Sequence, residues 1–217
     1  MVEPSERVRT MRTEYENAGL DIGDVDPDPM VTFEAWFAAA VAGDLSEPNA
    51  MVVSAVGPQG APSSRTVLLK GYDARGFVFY TNYESRKGRE LVANPACSLL
   101  FPWYPLHRQV RIDGLAEQVP AEESDAYFAL RPRESQLGAW ASHQSSEVAD
   151  RAELDASYGE VERRFDGVDV PRPPHWGGFL VRPRMVEFWQ GRRGRMHDRI
   201  VCRRPDAGPW ERLRLAP

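Results

Sequence analysis

Two groups of cationic residues stand out by type and spacing. The first lies in Ser64 to Leu91, SRTVLLKGYDARGFVFYTNYESRKGREL, where Arg65 and Lys70 bracket an aliphatic run and Arg86-Lys87 follow Ser85. Ser85 is the predicted N-cap of a helix, which puts Arg86 and Lys87 at its N-terminus. The helix dipole disfavours cations there by about 0.3–1 kcal/mol each. Two adjacent cations at that end point to an anion that offsets them, and backbone N–H groups beside Arg and Lys make a phosphate site. The alternative is a pair of solvated charges on a surface helix. The chain has 27 Lys plus Arg, yet only Lys70 and Lys87 are lysine, so both compact ammonium groups fall in this stretch.

The second group is Arg195-Met196-His197-Asp198-Arg199. Strand alternation predicts Arg195, His197, Arg199 and Val201 on one face, with Met196, Asp198 and Ile200 on the other. Three cationic or near-cationic side chains on one face repel one another unless something anionic or polar lies over them. The alternative is a solvent-facing sheet edge, but Trp189-Gln190-Gly191 just upstream reads as a pocket wall. Tyr127 and Arg131 add a further set, i,i+4 on a predicted helix, with Ser135 in the loop beyond. Two phosphates, or one ligand with two anionic ends, would account for the separated sets. No carboxylate pair, nucleophile elbow or metal cluster competes, and no GxGxxG follows a strand, which argues against a Rossmann domain.

The elements that must position these groups are short. Thr66–Leu69 and Phe77–Thr81 are β-branched and aliphatic runs joined through the turn residues 73–76, which predicts a hairpin. A polar helix is expected over 7–17 and another over 33–42, capped by Thr32. Strands are expected at 50–56, 98–101 and 108–119, with helices at 86–94 and 121–130, the latter ended by Pro132. A polar connector at 138–146 then leads to a helix over 147–165, capped by Ser146, with Leu154, Tyr158, Val161 and Phe165 as its buried stripe. Strands are expected again at 178–181, 185–190, 195–202 and 210–215. About seven strands in runs with three or four helices make this α+β, with an antiparallel sheet or barrel.

Composition sets the bounds. The 217 residues suit one large domain or two small ones, and 42% hydrophobic with 27% charged residues supports a proper core. A net charge of −5 argues against general nucleic-acid binding. Six Trp, seven Tyr and nine Phe can line a pocket for a flat ligand. The two cysteines, Cys97 and Cys202, have no metal spacing and read as packed thiols. The polar N-terminus shows no signal core and no run is long enough to span a membrane, so a reduced cytoplasmic location is expected.

These residues together match a family. RTEY at 12–15, RTVLLK at 65–70, FYTN at 79–82, SRKG at 85–88, FPWY at 101–104, RPRESQLGAWAS at 131–142, WGGF at 176–179, EFWQG at 187–191, RMHDR at 195–199 and the terminal RLRLAP recur in that order. The chain resembles the pyridoxamine 5′-phosphate oxidase family, FMN enzymes of vitamin B6 metabolism, over nearly its whole length. The resemblance implies an FMN-binding split β-barrel, antiparallel and Greek-key-like, with flanking helices, working as a homodimer with FMN at the interface. Residues 1–30 would be an N-terminal arm that closes over the site. Residues 31–217 would form a single domain that includes the C-terminal dimerisation and substrate-binding strands. Arg65 and Lys70, five apart, would point to opposite faces of an ideal strand, so a site shared between subunits or a bulge is expected.

By the same resemblance, FMN would be held by Arg65, Thr66, Val67, Leu68, Leu69 and Lys70, by Tyr80, Thr81, Arg86 and Lys87, and by Gln109, Gln144, Ser145, Trp189 and Arg199. The substrate phosphate would be held by Lys70, Tyr127, Arg131 and Ser135. Arg195 and His197 would lie by the substrate ring as the catalytic pair, with Met196 between them in a place where Leu is commoner. Arg12 and Tyr15 would reach the substrate from the arm. No metal, nucleic acid or membrane is implied. The implied reaction oxidises pyridoxine or pyridoxamine 5′-phosphate to pyridoxal 5′-phosphate by hydride transfer from C4′ to N5 of FMN. Dioxygen is the acceptor, hydrogen peroxide is released, and ammonia leaves from the amine. The alternatives are an FMN oxidase of a secondary pathway such as phenazine biosynthesis, and a non-catalytic flavin or pyridoxal phosphate carrier.

Overall fold

The computed structural model describes residues 15, 19–43, 45–204 and 208–217, so the helix expected over 7–17 and Arg12 lie outside the described residues. Helix α1 (Pro29–Ala42) starts earlier than its sequence pattern indicated. Asp28, not Thr32, is the N-cap, its side chain accepting from the Met30 N–H, and Pro29 takes the first helical position, where a missing N–H costs nothing. Strand β1 (Ala50–Val56) runs as expected, alternating half-buried and buried positions.

The chain folds into two compact units: residues 49–101 with 112–184, and the described residues within 1–48, 102–111 and 185–217. In the larger unit β2 (Pro62–Leu68) pairs with β1 in antiparallel register, Val53 opposite Arg65. The hairpin expected between Thr66–Leu69 and Phe77–Thr81 therefore does not form. The turn at Asp73–Gly76 is real, but it joins β3 (Gly71–Asp73) to β4 (Gly76–Asn82). Gly76 has φ 144°, and a Cβ there would stand 2.1 Å from the Val181 carbonyl oxygen.

Helix α2 (Arg86–Ala93) is capped by Ser85, whose hydroxyl accepts from the Gly88 N–H. A Cβ on Gly88 would lie 2.2 Å from the Tyr83 carbonyl, so only glycine lets this helix seat against residues 82–83. Strands β5 (Ala96–Trp103) and β6 (Arg108–Gln118) follow, then helix α3 (Ala121–Ala129). Helix α4 (Arg133–Ala141) occupies much of what the sequence presented as a loop and polar connector. Pro132 does not merely end the preceding helix; it is the N-cap position of this one. Helix α5 (Arg151–Arg164) is shorter than the predicted 147–165, because Asp150 rather than Ser146 caps it. Tyr158 and Val161 pack against a cluster of Phe128, Leu137, Phe165, Val170 and Trp176, whereas Leu154, expected in that stripe, is exposed.

Two expected strands, 178–181 and 185–190, are one long strand, β7 (Trp176–Gln190). Its first part pairs with β4, Phe79 opposite Phe179, and its last part with β8 (Asp198–Arg203), which in turn pairs with β9 (Glu211–Leu215). The strand order is β2-β1-β5-β6-β7-β4-β3, with β8 joined to β7 and β9 to β8. In the smaller unit the Phe33 ring packs on Phe37 and Trp103, and Trp36 meets Phe188 edge-on at 5.2 Å. No helix among the described residues is long and apolar enough to cross a membrane.

Gly76→Ala is expected to destabilise the protein by about 2 kcal/mol, from left-handed strain and the collision with β7. A chemical denaturation midpoint unchanged from the parent would show that the hairpin tolerates a side chain there.

Candidate active site

In the larger unit, β2, β4, α2, α3 and the loop after α4 surround a cavity of about 690 Å³, within the range of sites for drug-sized ligands. Arg65, Thr66, Val67, Leu68, Lys70, Tyr80, Thr81, Arg86, Lys87, Tyr127, Arg131, Gln144 and Ser145 all line it. Leu69 does not: it is 5% exposed and packs inward. The question of how Arg65 and Lys70 share a wall has a local answer, since β2 ends at Leu68 and strict alternation ends with it. The Lys70 N–H instead donates to the Val78 carbonyl at 2.8 Å.

Each cation is held differently. Lys87, 8% exposed, donates from Nζ to Thr81 Oγ1 at 3.0 Å and to Ser85 Oγ at 3.4 Å. Burial and then the nearby Arg65 charge push its pKa down, with Glu90 opposing. The Arg65 guanidinium bonds Ser63 and the carboxylate of Glu90, the latter at 3.2 Å. Arg86 Nε reaches the other oxygen of Glu90 at 2.9 Å. The offset for cations at this helix start is therefore supplied in part by Glu90, for which the i,i+4 spacing from Arg86 is the signal in the sequence. The Arg86 N–H is also taken, donating to Ser145 Oγ at 3.2 Å. Ser145 sits at φ 75°, a left-handed conformation that non-glycine residues adopt where surroundings enforce it.

Among the described residues Arg131 has no carboxylate partner. Its guanidinium carbon lies 4.5 Å over the Trp176 ring and 5.5 Å from Phe128, and among the described residues its buried Nη1 has no hydrogen-bond partner. Burial pulls its pKa down. A buried guanidinium N–H without a partner is an uncompensated donor at the edge of the cavity that Arg131 lines. Tyr127, Tyr80 and Trp176 stack nearly parallel, Tyr80 to Tyr127 at 4.0 Å and Tyr80 to Trp176 at 5.4 Å. Trp176 and Asn82 also line the cavity and were not among the predicted site residues. Ser135 is on the first turn of α4 and lines a smaller adjoining cavity with Arg131, Gln144 and Trp176.

The smaller unit holds the second group. Arg193–Arg195 is a single 3₁₀ turn and the strand begins only at Asp198, so the predicted alternation of Arg195, His197 and Arg199 on one face does not apply. Gly194 and Arg195 both have positive φ, 64° and 62°. His197 accepts at Nδ1 from the Arg192 N–H at 3.1 Å, which leaves its proton on Nε2. Its ring lies 4.6 Å from Trp189 and 5.8 Å from Tyr15, and Tyr15 also meets His107 at 4.4 Å. Burial and the Arg195 charge lower the His197 pKa, with Asp198 opposing. Arg199 is paired with Glu187 at 2.7 Å, and Arg111 reaches the same carboxylate at 3.1 Å. Met196 is 69% exposed. Gln109 is half-buried on β6, on the face opposite Val110 and Ile112. Among the described residues no group of three or more His, Cys, Asp or Glu side chains is arranged to hold a metal.

A family model described as pyridoxamine 5′-phosphate oxidase matches residues 37–165, and one described as the pyridoxine 5′-phosphate oxidase C-terminal dimerisation region matches 176–217. The chain belongs to the pyridoxamine 5′-phosphate oxidase family. Its relatives include a pyridoxine/pyridoxamine 5′-phosphate oxidase of Rubrobacter xylanophilus, 57% identical over 95% of each chain. Another, from Ralstonia nicotianae, is 54% identical over 97% of this chain and 99% of its own. At that similarity this family member is an oxidase. Among solved structures, PhzG from Burkholderia lata, in complex with tetrahydrophenazine-1-carboxylic acid, superposes with a TM-score of 0.87 at 31% identity. It covers 94% of this chain and all of its own. A Nostoc punctiforme FMN-binding protein of the family shares the fold at TM-score 0.68 and 16% identity, over 85% of this chain and 97% of its own. The family's split barrel is the architecture expected from the sequence.

Two expectations follow from the site. Lys87→Met should raise the stability of the ligand-free protein by about 1 kcal/mol, because a desolvated charge is removed, while reducing the stabilisation that added phosphate confers. Urea midpoints with and without inorganic phosphate read both effects, and an equal phosphate response in the variant would sink the assignment of Lys87 to the anion. His197 should titrate below about 6.5 in the folded protein. Because the unfolded imidazole protonates first, its contribution to stability is present above that value and lost as pH falls towards the folded pKa. His197→Gln should therefore flatten that part of the acid-side stability curve, and an NMR midpoint at or above the ordinary value would contradict this.

Proposed function

We propose that this oxidase uses FMN to convert pyridoxine 5′-phosphate and pyridoxamine 5′-phosphate to pyridoxal 5′-phosphate, with dioxygen as acceptor. The observation that carries the reading is the cavity wall, where Arg65, Lys70, Arg86, Lys87 and Arg131 converge beside the Tyr80–Tyr127–Trp176 stack. It offers more cationic donors than one phosphate needs, plus flat apolar surface for a ring system. Arg131, on that wall and packed on aromatic faces, supports a bound anion in particular. The names of relatives at 54–57% identity support the substrate.

Arg65, Arg86 and Lys87, with Thr66–Lys70, Tyr80, Thr81, Gln144 and Ser145, would hold FMN, joined by Gln109, Trp189 and Arg199. FMN, when bound, supplies the two-electron acceptor that dioxygen regenerates, releasing hydrogen peroxide. The chain's own residues bind and orient. Lys70, Tyr127, Arg131 and Ser135 would clamp the substrate phosphate and so fix the carbon to be oxidised. His197, neutral at pH 7 and protonated on Nε2, would donate a hydrogen bond to the substrate, and Arg195 would orient the ring. The left-handed backbone at Arg195 supports a constrained role, since strained non-glycine residues cluster at functional sites. Tyr15, packed on His107 and His197, supports the reading of the N-terminal segment as an arm that excludes water. We infer a homodimer from the match of 176–217 to the dimerisation region, and a cytoplasmic location from two free, buried thiols.

A second reading, an oxidase of phenazine biosynthesis, is favoured by the PhzG likeness alone; the higher identity to the B6-phosphate oxidases weighs against it. An anaerobic titration of the purified holoprotein with pyridoxine 5′-phosphate separates them. Bleaching of the flavin band, its return on admitting air, and formation of pyridoxal 5′-phosphate are expected. A bound flavin that does not bleach would overturn the substrate and leave the PhzG-like reading.

A further inference from the structure

A carboxylate beside an anion site is a contradiction on charge alone, and Glu90, bonded to two arginines of the cavity wall, is such a carboxylate. It is 5% exposed, on the buried side of α2, and its two oxygens are divided between two cations that line the cavity. Oε1 accepts from Arg86 Nε at 2.9 Å, and Oε2 accepts from Arg65 Nη2 at 3.2 Å and from the Ser63 hydroxyl. Ser63 Oγ in turn accepts from Arg65 Nη2 at 2.5 Å, and Arg65 Nη1 reaches the Ser63 and Val53 carbonyls at 3.3 and 3.4 Å. Arg65 comes from β2 and Arg86 from α2, so this one side chain ties the guanidiniums of two elements together. Lys87 lies on the same wall.

We propose that Glu90 is a positioning residue that sets Arg65 and Arg86 as a pair for the phosphate end of the flavin. The inference deepens the proposed FMN reading and rests on it. Two guanidiniums and a buried ammonium repel one another, and without an anion among them the arginines would turn away to solvent when no ligand is bound. Glu90 costs the site one negative charge close to an incoming phosphate. In return it holds both arginines in place beforehand, so binding does not have to order two long side chains. These effects have opposite signs. If charge dominated, neutralising Glu90 would tighten the phosphate; if positioning dominates, it weakens it. A glutamine has one acceptor oxygen, and its NH₂ group faces whichever guanidinium that oxygen does not serve, so at least one arginine is released.

The test compares FMN with riboflavin, which lacks the phosphate, by quenching of flavin fluorescence on the full-length apoprotein. Wild type should prefer FMN. Glu90→Gln should weaken FMN by about tenfold or more and leave riboflavin affinity within about twofold, so that the preference collapses. Retained riboflavin binding reports a folded site, which a merely structural role for Glu90 would not preserve. Parallel losses for both flavins, or FMN binding that is unchanged or tighter, overturn the proposal. Should Glu90→Gln not fold, Glu90→Asp keeps the charge but withdraws it by one methylene, and is read by the same ratio: an unchanged preference for FMN overturns the proposal. A wild type that binds neither flavin, or both equally, defeats the FMN-phosphate reading beneath it, and is told apart because the failure appears before any substitution.

Discussion

Like charges crowded on one surface repel, and the site in the larger unit depends on how that repulsion is managed. Five cations line its cavity, and the chain uses three different devices to keep four of them there. Lys87 is held by the neutral hydroxyls of Thr81 and Ser85. Arg65 and Arg86 share the carboxylate of Glu90. Arg131 is held by aromatic faces, Trp176 and Phe128, which attract a cation without satisfying its N–H donors.

The same physics recurs in the smaller unit. Glu187, 2% exposed, accepts from both Arg199 and Arg111. A buried carboxylate alone would be costly, and a pair of arginines alone would repel, but the shared carboxylate offsets both, and its bidentate bonds to Arg199 fix the geometry. His197, in the same unit, is governed by a different balance. Burial and Arg195 favour the neutral ring, and the Arg192 N–H settles which nitrogen carries the proton. The free thiols contribute none of this: burial pushes Cys97 up to about 12 and Cys202 up to about 11, so both stay protonated and inert.

Backbone geometry decides how closely these groups approach. Gly88 lets α2 sit on the Tyr83 carbonyl, which brings Ser85, Arg86 and Lys87 to the cavity. The end of β2 at Leu68 frees Lys70 from the alternation that would have turned it from Arg65. Ser145, left-handed, presents its hydroxyl to the first N–H of α2. Each is a local departure from regular structure at a place where a ligand-facing side chain has to be aimed.

Features of short range were legible in the sequence by itself. The Ser85 cap, strand β1, the Asp73–Gly76 turn, and the grouping of Arg65, Lys70, Arg86 and Lys87 all rest on chemistry within a few residues, and the ordered motifs identified the family. What depends on distant partners was not legible. Adjacent runs suggested that residues 66–69 pair with 77–81, but β2 pairs back to β1, because strand pairing is decided by the whole sheet and not by proximity in sequence. Helix α4 was hidden because Gly138 and a polar run mask a short segment whose apolar positions, Leu137, Ala139 and Trp140, are fixed by the cluster they join. The predicted face of Arg195, His197 and Arg199 failed because a left-handed 3₁₀ turn interrupts the strand. Glu90, finally, was an ordinary i,i+4 partner until burial made it the common anchor of two arginines from different elements, and burial is a property that only the tertiary structure confers.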